Sequence, residues 1–316
     1  GYDNADGRGK RAAPIRAAAG YFTADASGNA ILFDDEGNIP RRTQLPSGAL
    51  GGAGFAGGTI AVPTANHGVV LLDADLREKA RVPLGTVIGA NITADERSGR
   101  FYAASAAREV VAFDADGRVL WRAATDTGVL SSPSISRRGV VAVDQAGTVF
   151  VYDERNGSPV SRFATGSPVR LSTPLVGDDS TYIAAADGAL EVIGASTFYR
   201  GPRTASAAAG PIFAEGAVVV PYKNGDVVAY TVSGRKELWR KPLGAPITSE
   251  LFAAGDRVCA GAGADLFVLR SSTGATLWSR RLPATVTGIR AISASDFLVT
   301  TDHGEVMRVA APPALP

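Results

Sequence analysis

Two histidines, one cysteine and a few short carboxylate runs are the side chains of this 316-residue chain best suited to chemistry. His67 and His303 carry the only side chains that change charge near neutral pH without perturbation. Each stands immediately before a glycine, as do Ser27, Ala146, Asp187 and Asn224. Shared position with such different residues makes both histidines turn residues rather than metal ligands or catalytic bases. Cys259 is alone, which excludes an internal disulfide and a cysteine-based zinc site. Within Val258-Cys259-Ala260 it reads as a small buried hydrophobe. Asp114, Asp116 and Gly117, like Asp34, Asp35, Glu36 and Gly37, have the look of calcium loops. They supply too few oxygens for calcium, whereas Asp is favoured in tight turns because its carboxylate caps nearby amides. No serine sits in a Gly-x-Ser-x-Gly elbow. No catalytic residue, metal or cofactor is therefore expected.

Composition narrows the class of function. The 32 basic and 31 acidic residues give a formal charge of +1, without the basic excess that nucleic-acid binding needs. No apolar run approaches a membrane-spanning length. The opening Gly1-Tyr2-Asp3-Asn4 is not a secretory signal, which predicts either a cytosolic protein or a mature or trimmed form. The 37 glycines and 18 prolines are spread along the chain, so they punctuate turns instead of forming one disordered tract.

What must position these residues is a repeat. Residues 142–153, Ala-Val-Asp-Gln-Ala-Gly-Thr-Val-Phe-Val-Tyr-Asp, show its core: small residues, a polar turn, then alternating apolar residues. The turn position recurs at Gly28, Gly68, Arg108, Gly147, Gly188, Gly225, Ala264 and Gly304, in steps of 40, 40, 39, 41, 37, 39 and 40 residues. Glycine suits it because a tight hairpin requires positive φ. Each copy holds four strands. A short one comes first, as in Ser131-Ser-Pro-Ser-Ile135 and Ser172-Thr-Pro-Leu-Val176. A hairpin such as Gly139–Val143 with Thr148–Tyr152 follows. The last strand carries Trp121, Trp239 or Trp278, read as packing between repeats.

A four-stranded unit buries its faces only against neighbours, so eight of them predict one domain over residues 1–316. The fold class is all-β, an eight-bladed β-propeller of four-stranded antiparallel blades. The eighth copy runs through strands near Ile289, at Asp296–Thr301 and at Glu305–Val309, then meets Pro312 and Pro313. Its missing outer strand is assigned to Gly1–Ala5, because Tyr2 lies 12 residues before Pro14, much as each tryptophan precedes its next inner strand.

Asp-Gly-Arg-Val-Leu-Trp-Arg at 116–122, Ser-Ser-Pro at 131–133, Glu237-Leu-Trp239 and Gly274-Ala-Thr-Leu-Trp278 resemble the repeat of pyrroloquinoline-quinone-type propellers. The resemblance runs through essentially the whole chain, although several copies lack the tryptophan. One branch comprises quinoprotein dehydrogenases, which are about twice as long and use adjacent cysteines and a calcium cage. This chain, with one cysteine, is more similar to the other branch, the BamB-like lipoprotein of the outer-membrane β-barrel assembly machine. That likeness implies a non-catalytic, periplasmic or otherwise extracytoplasmic protein-interaction scaffold. It also implies a lipid anchor lying outside this chain, an outer-membrane assembly component as partner, and a monomeric propeller. The alternatives are a small-ligand or glycan-sensing propeller and a degenerate quinoprotein.

Two sets of residues are singled out as candidate sites. In the BamB-like relative, a loop entering an inner strand contacts the partner through leucines and an arginine. Val169, Arg170 and Leu171 form a similar local pattern here; the alternative is that they merely link two blades. Glu250 and Arg290 are the charged members of a column otherwise holding Pro14, Gly54, Ala94, Pro133, Pro174 and Pro211. They are expected to pair beside the central channel, as a polar ligand site or as a structural plug.

Overall fold

The computed structural model describes residues 12–17, 20–66, 68–84, 90–170, 172–293 and 295–311. All regular structure in them is β, and the strands form eight antiparallel sheets. The sheets span residues 15–44, 54–82, 93–124, 134–164, 175–200, 212–242, 252–281 and 286–310. Seven contain four strands joined in chain order; the eighth has three among the described residues. Eight such meanders in succession are the arrangement of an eight-bladed β-propeller. The strand assigned to Gly1–Ala5 lies outside the described residues.

The local chemistry is that of the repeat. Gly139–Val143 pairs with Thr148–Tyr152, with Val141 opposite Val151 and Ala142 opposite Phe150. Seven of the eight turn positions have positive φ, from 65° at Arg108 to 94° at Gly225. In the seventh sheet the position falls one residue earlier, at Gly263 with φ 56°, rather than at Ala264. Glycine takes that backbone without steric cost, which is why the turn slips to it.

Two compact units are present, Pro14–Asp178 and the chain from Asp179 onward. In the first, Phe22, Leu32, Ile60 and Leu72 pack between the first two sheets. Leu71, Phe101, Val111 and Phe113 pack between the second and third, and Tyr102, Trp121, Phe150 and Tyr152 between the third and fourth. In the second unit, Val219, Trp239, Val258 and Leu269 fill the space between the sixth and seventh sheets. Val268, Phe297 and Val299 do so between the seventh and eighth, together with Cys259.

Burial of the second and third strands on both faces dominates stability, and specific side-chain locks tie neighbouring sheets together. Trp121 donates its indole N–H to the carbonyl of Glu154 at 3.0 Å, and Trp239 donates to Ser271 at 2.7 Å. Both acceptors sit in the turn before the last strand of the next sheet. Nearer the first strands, the Thr93 hydroxyl donates to Pro133 O and the Ser134 hydroxyl to Pro174 O, each at 2.6 Å.

The column of eight residues is not level. Gly54, Ala94 and Arg290 lie within first strands, whereas Pro14, Pro133, Pro174 and Pro211 each sit just before one. Proline has no N–H for a ladder, so it marks the strand's entrance. Glu250 lies two residues ahead of Phe252–Ala254, while Arg290 is the fifth residue of Val286–Ala291.

Candidate interaction surface

One end of each sheet carries the turn between its second and third strands and the loop entering the next sheet. Short polar side chains tie the two together. Asp144, 1% exposed, accepts the Thr148 amide at 2.8 Å on one carboxylate oxygen and the Thr127 amide at 3.0 Å on the other. Thr127 in turn accepts the Ala146 amide, and the Gln145 amide donates to Gly128 O. Asp302, one place nearer its turn glycine, accepts the Thr285 amide at 3.0 Å. Asp is favoured at position 144 because a carboxylate can satisfy two orphan amides at once.

The loop holding Val169 and Arg170 is fixed by the same device. The Val169 amide donates to Gln145 O at 3.0 Å and its side chain is 2% exposed, whereas Arg170 is exposed. Leu171 lies outside the described residues. Of the two described residues, Arg170 is exposed to solvent and Val169 is buried.

Glu250 and Arg290 stand apart in their surroundings. Arg290 is half-buried, with its guanidinium carbon 5.4 Å from the centre of the Phe252 ring, a cation–π geometry. Glu250 is exposed, and its carbonyl accepts the Ser249 hydroxyl at 2.8 Å. Glu250 precedes the first strand of its sheet, and Arg290 lies within the first strand of the next.

The other residues singled out in the sequence have these surroundings where described. The Asp114 carboxylate accepts the amides of Asp116 and Arg118, and Asp34 accepts that of Asn38, so both acidic runs cap turns. The Asn38 amide side chain holds Asp34 below the usual carboxylate range. Cys259 is buried, and burial pushes its thiol up to about 12. His303 is exposed in its turn, and His67 lies outside the described residues. Among the described residues no three His, Cys, Asp or Glu side chains gather as metal ligands would.

Sequence reasoning missed the stand-ins for the tryptophans. Tyr199 takes the position in the fifth sheet, opposite Val192, beside Gly234 of the next turn and under the Arg235 guanidinium at 4.8 Å. In the second sheet the turn Asp73-Ala-Asp-Leu76 ends in leucine where Asp114-Ala-Asp-Gly117 ends in glycine. Leu76 has φ 59° and is 2% exposed, filling from the turn the space that a tryptophan fills elsewhere from the strand. Aligning those two turns by residue type exposes the exchange.

A family model described as outer membrane protein assembly factor BamB matches residues 66–311. The chain belongs to the BamB family. Among solved structures, BamB from Moraxella catarrhalis is similar with a TM-score of 0.79 and 19% identity, covering 95% of this chain and 96% of that one. The computationally designed Ika8 protein is similar with a TM-score of 0.85 and 17% identity, over 96% of both chains. The C-terminal WD40 domain of Sif2 is similar with a TM-score of 0.77 and 12% identity, over 96% and 95%. At such identities these likenesses speak to the fold. No curated protein sequence matches the chain. For a BamB-family propeller, the stapled loops and the exposed Arg170 make the loop-bearing end of the sheets the surface to test for protein contact. No helix among the described residues is long and apolar enough to cross a membrane.

Proposed function

We propose that this BamB-family chain is a non-catalytic, extracytoplasmic scaffold that binds a protein component of the outer-membrane assembly machinery. The observation that carries the reading is the family match over residues 66–311. The physical means is a set of loops held rigid by buried hydrogen bonds, of which Asp144 with Thr127 and Val169 with Gln145 are the best defined. A preordered loop loses little conformational entropy on docking, so modest contacts suffice for useful affinity. Arg170 offers five donors in a planar fork that suits a partner carboxylate or carbonyl. Periplasmic placement and a lipid anchor supplied from outside this chain are part of the same reading.

The test is capture from an envelope extract with the full chain as bait, followed by identification of retained proteins. Recovery of an assembly-machinery component, lost with R170E while the melting temperature stays unchanged, supports the proposal. Equal recovery by R170E removes Arg170 from the interface. Enrichment of an oligosaccharide or a quinone, with no protein partner, overturns the scaffold reading in favour of a ligand-binding propeller.

A further inference from the structure

The sequence contains two Asn-x-Ser/Thr triplets, Asn91-Ile92-Thr93 and Asn156-Gly157-Ser158. Such a triplet is the acceptor signal for N-linked glycans, whose attachment needs an accessible asparagine amide and a free hydroxyl two residues later. The structure separates the two. Asn91 is half-buried and its Oδ1 accepts the Gly52 amide at 2.6 Å. Its hydroxyl partner is already used, because Thr93 Oγ1 donates to Pro133 O. Thr93 also lies within the first strand of the third sheet, Thr93–Asp95, where the ladder holds it.

Asn156 differs in its exposure and in its hydroxyl partner. It stands exposed in the turn between Thr148–Tyr152 and Pro159–Ala164, and Ser158 is exposed beside it. Asn156 Oδ1 accepts the Ser158 backbone amide at 2.9 Å, closing an Asx turn across the triplet. That bond holds the hydroxyl-bearing residue close to the asparagine side chain. Neither Asn156 Nδ2 nor Ser158 Oγ has a hydrogen-bond partner among the described residues, so both face the transferase unencumbered. The turn is preformed from beneath: the Gly157 amide donates to Asp153 O at 2.9 Å, the Asp153 amide to Ser158 O at 2.8 Å, and Gly157 rests on the Trp121 ring. Glu154, two residues before the asparagine, adds a carboxylate that a cationic acceptor groove can read.

We propose that Asn156 is an acceptor for N-linked glycosyl transfer from a polyprenyl-diphosphate-linked oligosaccharide. This rests on the extracytoplasmic reading above, since such donors are used on that side of the membrane. In the transfer, Asn156 Nδ2 attacks the anomeric carbon of the donor sugar. The bond from that carbon to the diphosphate oxygen breaks, and polyprenyl diphosphate leaves. Nδ2 gives one proton to a base of the transferase, and nothing is oxidised or reduced. Pro159 follows the hydroxyl-bearing residue and restricts the Ser158 backbone, so its replacement is expected to make Asn156 the better acceptor.

The experiment incubates the folded full-length chain with a purified bacterial oligosaccharyltransferase and a short polyprenyl-diphosphate-linked oligosaccharide, with a flexible acceptor peptide in the same tube. Intact mass and glycopeptide mapping read the product. The expected result is a glycan at Asn156 and none at Asn91, lost in N156Q and in S158A, with P159A modified faster than the native chain. A native chain left unmodified while the peptide is glycosylated overturns the proposal. So does a glycan found only at Asn91, or one that appears at Asn156 only after heat unfolding. Enzyme and donor are supplied in the assay, so a negative result leaves the extracytoplasmic reading standing. Fractionation that finds the chain in the cytosol would overturn that reading without touching the acceptor chemistry.

Discussion

Gly157 lies directly against the indole of Trp121, so that a Cβ at Gly157 would stand 2.6 Å from Trp121 Cε3. The same relationship joins Gly274 to Trp239, at 2.5 Å. Both glycines have positive φ, 73° and 70°, so each is required twice over, once by the backbone and once by the ring. The tryptophan of one sheet thus reads the turn of the next, and its N–H confirms the register by bonding Glu154 O or Ser271 O.

Alanine at Gly157 is expected to cost about 2–4 kcal/mol, combining the left-handed backbone penalty with overpacking against the ring. W121A alone is expected to cost about 3–5 kcal/mol through the cavity it leaves. In the W121A background the ring clash vanishes and only the backbone penalty remains. A double-mutant cycle by urea unfolding should therefore show G157A costing less in W121A than in the native chain, by about 1–3 kcal/mol. Strict additivity would mean that ring and glycine do not meet.

Leu76 tests the reverse arrangement. Its φ of 59° disfavours a side chain, yet 98% of the residue is withdrawn from solvent. L76G relieves the backbone and loses a buried leucine worth about 1.5–3 kcal/mol, so the variant should be destabilised by about 1–2 kcal/mol. A thermal melt showing L76G as stable as the native chain would show that the leucine does not carry the junction.

Asp144 satisfies two backbone amides from different segments of chain. D144A leaves both without an acceptor in a buried place and is expected to cost about 2–4 kcal/mol. D144N keeps one oxygen and should lie between the two. Amide hydrogen exchange is the discriminating measurement: Thr127 and Thr148 should lose protection in D144A, while strands remote from the turn keep theirs. Uniform loss would indicate global unfolding rather than release of a staple.

Asp95 should contribute to acid sensitivity. The Ser98 hydroxyl, donating at 2.6 Å, holds its carboxyl below the usual carboxylate value of 3.8 despite burial, with the Arg97 amide and guanidinium assisting. A carboxyl lowered by folding contributes stability that is fully present above its unfolded pKa and is lost as pH falls through the folded one. The advantage of the native chain over D95N should therefore be greatest at neutral pH and shrink below about pH 4. Denaturant midpoints across that range check this; an advantage that grows on acidification reverses the sign and refutes it.

The period near 40 residues, the turn glycines and the apolar alternation were enough to give eight antiparallel sheets, seven of them four-stranded among the described residues, because each is a local demand of backbone and burial. Gly139–Val143 and Thr148–Tyr152 follow from their own residues, and the tryptophans announce packing by recurring at one place in the repeat. Sequence spacing could not level the first strands. Prolines stand outside them and Val286–Ala291 contains a register shift between Val286 and Gly288, so a column counted in residues is not a column in space. Nor could spacing show that Val169 is buried while Arg170 is exposed, or that Leu76 does from a turn what Trp121 does from a strand. Those outcomes depend on which side chain of one sheet meets which turn of the next. Only tertiary packing decides that meeting, because the energy of a buried contact lies in the pair and in neither residue alone.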